Sequence, residues 1–177
     1  MGVGKLEIIN NMSLFEFDDY GIEHPTIPTA EAYITNVEDS YAITPLNEYV
    51  DKRRVIMIGI PGAFTPTCTE KHLPGFLESE DKFYAKGVDE IMCLSVNDVH
   101  VMTAFDDYIN SEGGQITMVA DPHGDIAKQL NLLVEKNHLG MRMQRFVAIC
   151  KDGKIIKMLV DEKGLDVSSA ENCLRLL

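Results

Sequence analysis

Short apolar runs alternate with amphipathic stretches along most of this chain. The β-branched run at residues 55–58 ends at a glycine and predicts a buried strand, and apolar residues recur at helical spacing from residue 68 to about residue 86. The alternation continues to the C-terminus, with strands predicted at 91–96, 115–120, 146–150 and 155–160 and helices beginning near residues 98, 121 and 168. Strands that alternate with helices indicate an α/β fold with a central sheet.

Turn and cap residues set the predicted boundaries of these helices. Pro74 should kink the first helix, because its ring clashes with the carbonyl group four residues earlier, at Glu70. Asn97 or Asp98 offers an N-cap for the second helix. Asp121 offers an N-cap for the third, and the proline after it suits the first helical position.

The predicted sheet is mixed. The Asp152-Gly153 pair lies between the last two strands and is a strong signal for a tight antiparallel hairpin. Two further strands are predicted near residues 32–37 and 40–44. Because no repeat, low-complexity block or linker divides the chain, we expect residues 1–177 to form a single domain, with 1–20 as an N-terminal extension.

Composition and charge exclude several classes of partner. The 177 residues are 45% hydrophobic, which is enough for a sizeable core. Sixteen Lys and Arg against 28 Asp and Glu give a net charge of -12, which repels nucleic acid and anionic membranes. No apolar run approaches the roughly 20 residues that span a bilayer. We therefore expect a cytoplasmic protein without nucleic-acid or membrane partners, an organellar form with a trimmed targeting segment being the alternative.

The cysteines are widely spaced and form no CxxC pair, which predicts reduced thiols rather than a disulfide framework. Cys68 and His72 have the i, i+4 spacing of metal ligands, but no second pair accompanies them, so no metal site is expected. His72 is instead expected to be a partly buried helix residue that packs beside Pro74. Cys150 and Cys173 are expected to fill the core, with surface oxidation of Cys150 as a minor alternative. Cys93 is expected to be buried in a strand, where it could react with Cys68 only after local unfolding of the helix that carries Cys68.

The stretch PGAFTPTC, residues 61–68, places a cysteine in the first turn of a predicted helix. Unpaired backbone N–H groups and the positive end of the helix dipole favour an anion there, which raises the fraction of reactive thiolate. Thr65 or Thr67 can cap the helix, and the Thr65 hydroxyl can also hydrogen-bond an oxygen substrate. A lone cysteine is more often buried and inert, but here strand, turn and cap together favour the reactive interpretation.

The run PGAFTPTCTEKHLPGF, the later CLSVND at 93–98, an Arg-Phe pair at 145–146 and the KDGK hairpin resemble type II peroxiredoxins, the peroxiredoxin five subfamily. The resemblance extends from about residue 21 to the C-terminus. It implies a thioredoxin-like fold, in which helices flank a mixed central β-sheet. It also implies a thiol-dependent peroxidase that reduces hydrogen peroxide and alkyl hydroperoxides through a cysteine sulfenic acid.

The resemblance assigns roles to individual residues. Cys68 is implied to be the peroxidatic cysteine, Thr65 the hydroxyl that contacts the peroxide, and Pro61 the residue that shields the pocket. Arg145 is implied to place its guanidinium beside the thiolate, so that Thr65, Cys68 and Arg145 bind the substrate. Judged from the residues alone, Arg142 competes with Arg145 for this position.

The sulfenic acid must be reduced by a second thiol. Related two-cysteine proteins carry that thiol after a Gly-Leu pair near the C-terminus, where this chain has Val167. Cys93 is the other candidate resolving residue, 25 residues after Cys68, but it falls in an apolar strand. We expect a one-cysteine mechanism without a bound cofactor, reduced by glutathione with glutaredoxin or, as second choice, by thioredoxin. The resemblance also implies a homodimer.

Two other functions compete with the peroxidase. A thiol-disulfide oxidoreductase shares the fold class, but its dithiol motif would place a cysteine where this chain has Thr65. A peroxide-sensing switch or chaperone would use oxidation of Cys68 to control partner binding and would turn over slowly. Catalytic turnover with a thiol donor separates these alternatives.

Overall fold

The computed structural model describes residues 5–9, 12–16, 25–35 and 41–177. Its centre is a mixed sheet with the strand order β1-β2-β11-β10-β5-β6-β7-β3-β4, beside a separate β8-β9 hairpin. The strands are β1 Lys5–Ile9, β2 Met12–Glu16, β3 Glu31–Thr35, β4 Tyr41–Pro45, β5 Arg54–Ile60, β6 Glu90–Ser95, β7 Ile116–Ala120, β8 Leu133–Lys136, β9 Gly140–Met143, β10 Phe146–Lys151 and β11 Lys154–Val160. The helices are α1 Leu46–Tyr49, α2 Leu73–Leu77, α3 Glu80–Ala85, α4 Val99–Ile109, α5 Asp125–Gln129 and α6 Ala170–Leu176, and a π-helical turn covers Cys68–His72.

The middle of the sheet confirms the predicted mixed topology. β5, β6 and β7 run parallel, whereas β10 pairs antiparallel with β5 and with β11. The β10–β11 turn is built as predicted: Asp152 and Gly153 have φ angles of 51° and 75°, and two consecutive positive φ values characterise a type I′ turn. Helices cover the sheet, so the mixed α/β fold expected from the sequence is confirmed.

Alternate residues of the central strands enter two apolar cores on opposite faces of the sheet, as the pleat requires. Ile58 of β5 faces α2, α4 and α6, whereas its neighbour Met57 faces α1 and α5. The first core also contains Cys68 and Cys93. Cys68 therefore lies against the sheet and not at the surface of the protein.

The helix predicted over residues 68–86 is divided into separate segments. Pro74 has no N–H to donate to the Glu70 carbonyl, and the chain before it widens into the π-helical turn, in which the Leu73 N–H donates to the Cys68 carbonyl. A second break separates α2 from α3 at residues 78–79. Across that break the rings of Phe76 and Phe83 stack, with centroids 5.4 Å apart.

The predicted start of the third helix was wrong by a few residues. Asp121 does not begin α5 directly, because residues 122–124 form a turn closed by the Gly124 N–H on the Asp121 carbonyl at 3.0 Å. Gly124 has a φ of 70° and precedes the first helical residue. The Asp121 carboxylate still caps the helix, since it accepts the N–H groups of Ile126 and Ala127 at 3.2 and 2.9 Å.

The N-terminal region only partly overlaps the predicted elements. β3 and β4 correspond to the strands predicted at 32–37 and 40–44, whose residues 36, 37 and 40 lie outside the described part. Within the predicted extension 1–20, the hairpin β1–β2 pairs with β11, and the remaining residues are outside the described part. The sequence patterns missed this hairpin, α1 and the β8–β9 hairpin. No helix in the described ranges has the length and apolar character needed to cross a membrane.

Candidate active site

The turn that leaves β5 at the carboxyl end of the parallel strands is held by its neighbours. Asn97 follows β6, and its Oδ1 accepts the Ala63 N–H at 3.0 Å and the Ser95 hydroxyl at 2.7 Å. Phe64 has a φ of 58°, a conformation that non-glycine residues rarely adopt, and its ring contacts Phe105 edge to face with centroids 5.0 Å apart. These contacts fix the path of the chain just before the cysteine.

Helical conformation begins at Pro66, so Cys68 lies in the first helical turn, as predicted. The cysteine is completely buried. Its Sγ accepts a hydrogen bond from Nη2 of Arg145 at 3.4 Å. Arg145 stands immediately before β10, the strand that pairs with β5, and is 6% exposed. The fold therefore pairs a buried thiol with a buried guanidinium.

Each side of the Arg145 guanidinium has a defined partner. Nη2 faces Cys68, Nη1 donates to Nδ1 of His72 at 2.9 Å, and Nε donates to the Gly164 carbonyl at 2.7 Å. Because a guanidinium nitrogen only donates, Nδ1 of His72 must be unprotonated. The imidazole proton therefore resides on Nε2, which donates to the Ser168 carbonyl at 2.9 Å.

His72 is neutral in this environment. Burial lowers the pKa of His72 to about 4, and the nearby positive charge of Arg145 acts in the same direction. The sequence analysis expected this residue only to pack beside Pro74, partly buried. It is instead 1% exposed and hydrogen-bonded to the guanidinium that contacts Cys68, so the expected role was incomplete.

Thr65 and Pro61 lie on the turn before the cysteine, and both are half-buried. The Thr65 hydroxyl donates to the Gly62 carbonyl at 2.8 Å, and the Thr65 carbonyl accepts the Thr69 N–H at 3.0 Å. The hydroxyl oxygen thus keeps lone pairs that can accept a hydrogen bond. A side chain at Gly62 would approach Thr65, since a Cβ atom there lies 3.2 Å from Thr65 Cγ2.

The structure shows which of the two candidate arginines, Arg142 or Arg145, contacts Cys68. Arg142 donates from Nη1 to the Val96 carbonyl at 2.7 Å and from Nε to the Leu139 carbonyl at 2.9 Å. It thereby joins β9 to the turn after β6, whereas Arg145 contacts the thiol. The residues differ because Arg145 lies next to the strand that pairs with β5, and Arg142 lies in the separate hairpin.

The other cysteines are buried free thiols. Cys93 lies in β6, and burial raises its pKa well above the ordinary range, with the neighbouring Cys68 adding to the effect. Burial also raises the pKa of Cys150 and, to about 12, that of Cys173. Among the described residues, His, Cys, Asp and Glu side chains form no group of three or more that could hold a metal ion.

Sequence reasoning missed two further polar residues behind His72. Ser168 is fully buried, and its Oγ donates to Asp161 Oδ2 at 2.5 Å. Asp161 is 2% exposed and follows β11, where the apolar strand pattern ends. The available signal was an acidic residue, Asp161, directly after an apolar strand. The sequence does not show which distant histidine or arginine this residue approaches.

A buried thiol in the first turn of a helix, at the carboxyl edge of parallel strands and beside a guanidinium, defines a thioredoxin-like thiol redox site. Comparison with known proteins agrees. The Redoxin family model matches residues 29–174. Peroxiredoxin-2B of Arabidopsis thaliana is 36% identical over 154 residues, which cover 85% of this chain and 94% of that protein.

Solved structures give the same result. Reduced Prx3 from Vibrio vulnificus in complex with H2O2 superimposes with a TM-score of 0.80 at 35% identity, covering 88% of this chain and 98% of that one. The antioxidant protein of Plasmodium falciparum, a 1-Cys peroxiredoxin, has a TM-score of 0.79 at 28% identity and covers 87% and 96%. The chain belongs to the redoxin family as a peroxiredoxin, an enzyme that reduces peroxides with electrons from a thiol donor.

Proposed function

We propose that Cys68 is the peroxidatic cysteine and that Arg145 is its electrostatic partner. The observation that carries the proposal is the 3.4 Å contact between Arg145 Nη2 and Cys68 Sγ within a buried site. The Cys68 thiolate attacks the terminal peroxide oxygen, the S–O bond forms as the O–O bond breaks, and the electron pair leaves with the second oxygen. Cys68 becomes a sulfenic acid, and the departing hydroxide or alkoxide takes up a proton as water or alcohol.

The surrounding groups match the charge changes of this displacement. Arg145 is permanently charged, so it stabilises first the thiolate and then the charge that develops on the departing oxygen. Thr65 donates its own proton to Gly62, which orients its oxygen to accept a hydrogen bond from the peroxide O–H. Pro61 begins the turn and limits the access of water to the pocket. The substrates proposed are hydrogen peroxide and alkyl hydroperoxides.

We further propose a one-cysteine mechanism. Cys93 is completely buried in β6, and burial raises the pKa of its thiol, which disfavours the thiolate that would attack the sulfenic acid. Val167 occupies the position expected for a resolving thiol and is 5% exposed. The 1-Cys peroxiredoxin of Plasmodium falciparum, with its similar fold, supports this proposal. The Cys68 sulfenic acid then forms a mixed disulfide with an external thiol.

Glutathione with glutaredoxin is the proposed donor, and thioredoxin is the second candidate. Cys68 is fully buried, so either donor needs the helical turn that carries the sulfenic acid to open. A small thiol such as glutathione requires a smaller opening than a folded protein does. The four unpaired thiols favour a reducing compartment, and we propose the cytoplasm.

A homodimer is proposed from an exposed aromatic patch formed by Phe64 and Tyr108. The two side chains are 51% and 59% exposed, and their ring centroids are 5.8 Å apart. Aromatic residues are enriched at protein interfaces. Light scattering should report a dimer for the wild type and a monomer for Phe64→Glu. Met141→Glu is the matched control, because Met141 is also 51% exposed but lies in β9.

Peroxide consumption tests the proposed mechanism. The assay couples turnover to NADPH oxidation through glutathione and glutaredoxin or through thioredoxin, and compares wild type with Cys68→Ser. We expect sustained turnover with glutaredoxin and none for the variant. A wild type that is oxidised once and then stops with every donor would support the sensor function, whereas Cys68-dependent reduction of insulin disulfides would support an oxidoreductase.

A further inference from the structure

A network of buried, hydrogen-bonded polar groups extends from Cys68 to the loop after β11. Arg145 contacts Cys68, His72 contacts Arg145, Ser168 contacts His72, and Asp161 contacts Ser168 at the far end. All of its members are at most 6% exposed. Asp161 Oδ1 accepts the N–H groups of Asp166 and Val167 at 3.1 and 2.6 Å, and its Oδ2 accepts the Ser168 hydroxyl at 2.5 Å.

The hydrogen bonds between Asp161, Ser168 and His72 have a defined donor and acceptor at each step. A carboxylate only accepts, so the Ser168 O–H must point toward Asp161. The lone pairs of Ser168 Oγ then face Nε2 of His72, 3.3 Å away, and favour a proton on that nitrogen. With Nε2 protonated, Nδ1 of His72 presents the lone pair that accepts Arg145.

We propose that Asp161 and Ser168 are positioning residues of the peroxide site, which hold His72 in the tautomer that directs Arg145 toward Cys68. The proposal rests on the roles proposed above for Cys68 and Arg145. The hydrogen bonds of Asp161 and Ser168 do not include the thiol, so both residues act through the imidazole. The neutral state of His72 agrees with this function, because an imidazolium has no lone pair for the guanidinium.

Replacing the Asp161 carboxylate by an amide should reverse the donor and acceptor roles in these hydrogen bonds. In D161N the new amide N–H donates to the Ser168 hydroxyl, which is then free to donate its own proton to Nε2 of His72. That interaction favours a proton on Nδ1, which opposes the N–H of Arg145. Removing the hydroxyl with S168A prevents the reversal, although the Ser168 backbone carbonyl remains to accept Nε2–H.

The variants therefore have a specific order of activity. The readout is a single turnover without donor, in which the sulfenic acid on Cys68 is trapped with dimedone and quantified by mass spectrometry. We expect S168A to slow Cys68 oxidation about twofold and D161N about tenfold, as for one misdirected hydrogen bond to a charged group. The double variant D161N/S168A should return to the rate of S168A, because no hydroxyl remains to reverse.

Asp121→Asn is the matched control for loss of a buried carboxylate. Asp121 is as buried as Asp161, at 2% exposure, and likewise accepts two backbone N–H groups, those of Ile126 and Ala127. It should lower thermal stability and leave the oxidation rate of Cys68 unchanged. A D161N rate equal to wild type, or a double variant no faster than D161N, would overturn the proposal.

The imidazole itself provides a measurement that needs no variant at position 161. The ¹⁵N chemical shifts of His72 in the wild type should identify the Nε2–H tautomer, and an Nδ1–H tautomer would overturn the proposal even if D161N fails to fold.

Cys68→Ser separates this result from the peroxidase assignment. If that variant still consumes peroxide, the proposed nucleophile is wrong, whereas normal Cys68 dependence with unaffected D161N rejects only the positioning role.

Discussion

Gly59 of β5 lies directly opposite Phe146 of β10, and the Phe146 ring occupies the space that a side chain at position 59 would need. A Cβ atom built on Gly59 would stand 2.0 Å from Phe146 Cε1. Phe146 is completely buried and follows Arg145 directly, so the ring helps to fix the strand position from which the guanidinium reaches Cys68.

Gly59→Ala should therefore destabilise the protein by about 1–3 kcal/mol, the usual cost of adding a methyl group to a filled core. Gly75→Ala is the matched control. Gly75 lies in α2, and its Cβ would meet only Ala170 Cβ at 3.8 Å, so the change should raise stability by about 0.5–1 kcal/mol through helix propensity. Urea unfolding measures both changes, and equal effects at the two glycines would refute the steric argument.

Arg145→Lys should lower kcat/KM for peroxide by about 10²–10³, the range found when a preorganised donor is removed from an oxyanion site. An ammonium is a single point charge and has no fork that holds Cys68, His72 and Gly164 at once. Arg142→Lys is the matched control, since Arg142 donates to the carbonyls of Leu139 and Val96 and not to the thiol. Steady-state kinetics that show equal losses for both variants would contradict the assignment of Arg145.

The stability of the folded protein should fall on acidification because of His72. Its pKa is lowered from the ordinary 6.5 to about 4, so between these values the unfolded chain binds a proton that the folded protein excludes. Stability from this residue is thus complete above pH 6.5 and is lost as the pH falls toward 4, by roughly 3 kcal/mol in total. Unfolding curves of wild type and His72→Gln across this range should diverge, and parallel pH profiles would contradict the prediction.

Cys93→Ala should leave peroxidase turnover with an external donor within about twofold of the wild type, because an enclosed thiol takes no part in a one-cysteine cycle. One equivalent of peroxide should give a Cys68 sulfenic acid and no Cys68–Cys93 disulfide in peptide maps. An abundant intramolecular disulfide would establish Cys93 as the resolving residue. Cys173→Ala is the control for the loss of a buried thiol elsewhere in the same core.

Local signals in the sequence predicted the elements that carry the thiol. The apolar run before Gly59 and the prolines after it were sufficient to place Cys68 in a first helical turn, and Asp98 caps α4 as one of the two residues proposed. Such features depend on neighbours in the chain. The break between α2 and α3 has no glycine or proline to mark it, so periodicity continued the helix across it.

The partners of the thiol were less accessible to sequence reasoning. Arg142 and Arg145 are equivalent as residue types, and only strand pairing shows which one lies beside β5. The position of Ser168 behind His72 is likewise a product of tertiary structure, since the two residues are 96 positions apart. The family resemblance selected Arg145 but gave no indication of its hydrogen-bonded network with His72, Ser168 and Asp161.

Arg145, whose guanidinium contacts the Cys68 thiol, is synthesised well after the cysteine itself. Cys68 and Arg145 are 77 residues apart, and Gly164, which holds Arg145 from the other side, comes later still. A chain synthesised from its N-terminus therefore exposes the cysteine well before its guanidinium partner exists. The Cys68–Arg145 contact therefore forms late in folding, and a nascent or truncated chain that ends before residue 145 carries the cysteine without its guanidinium partner.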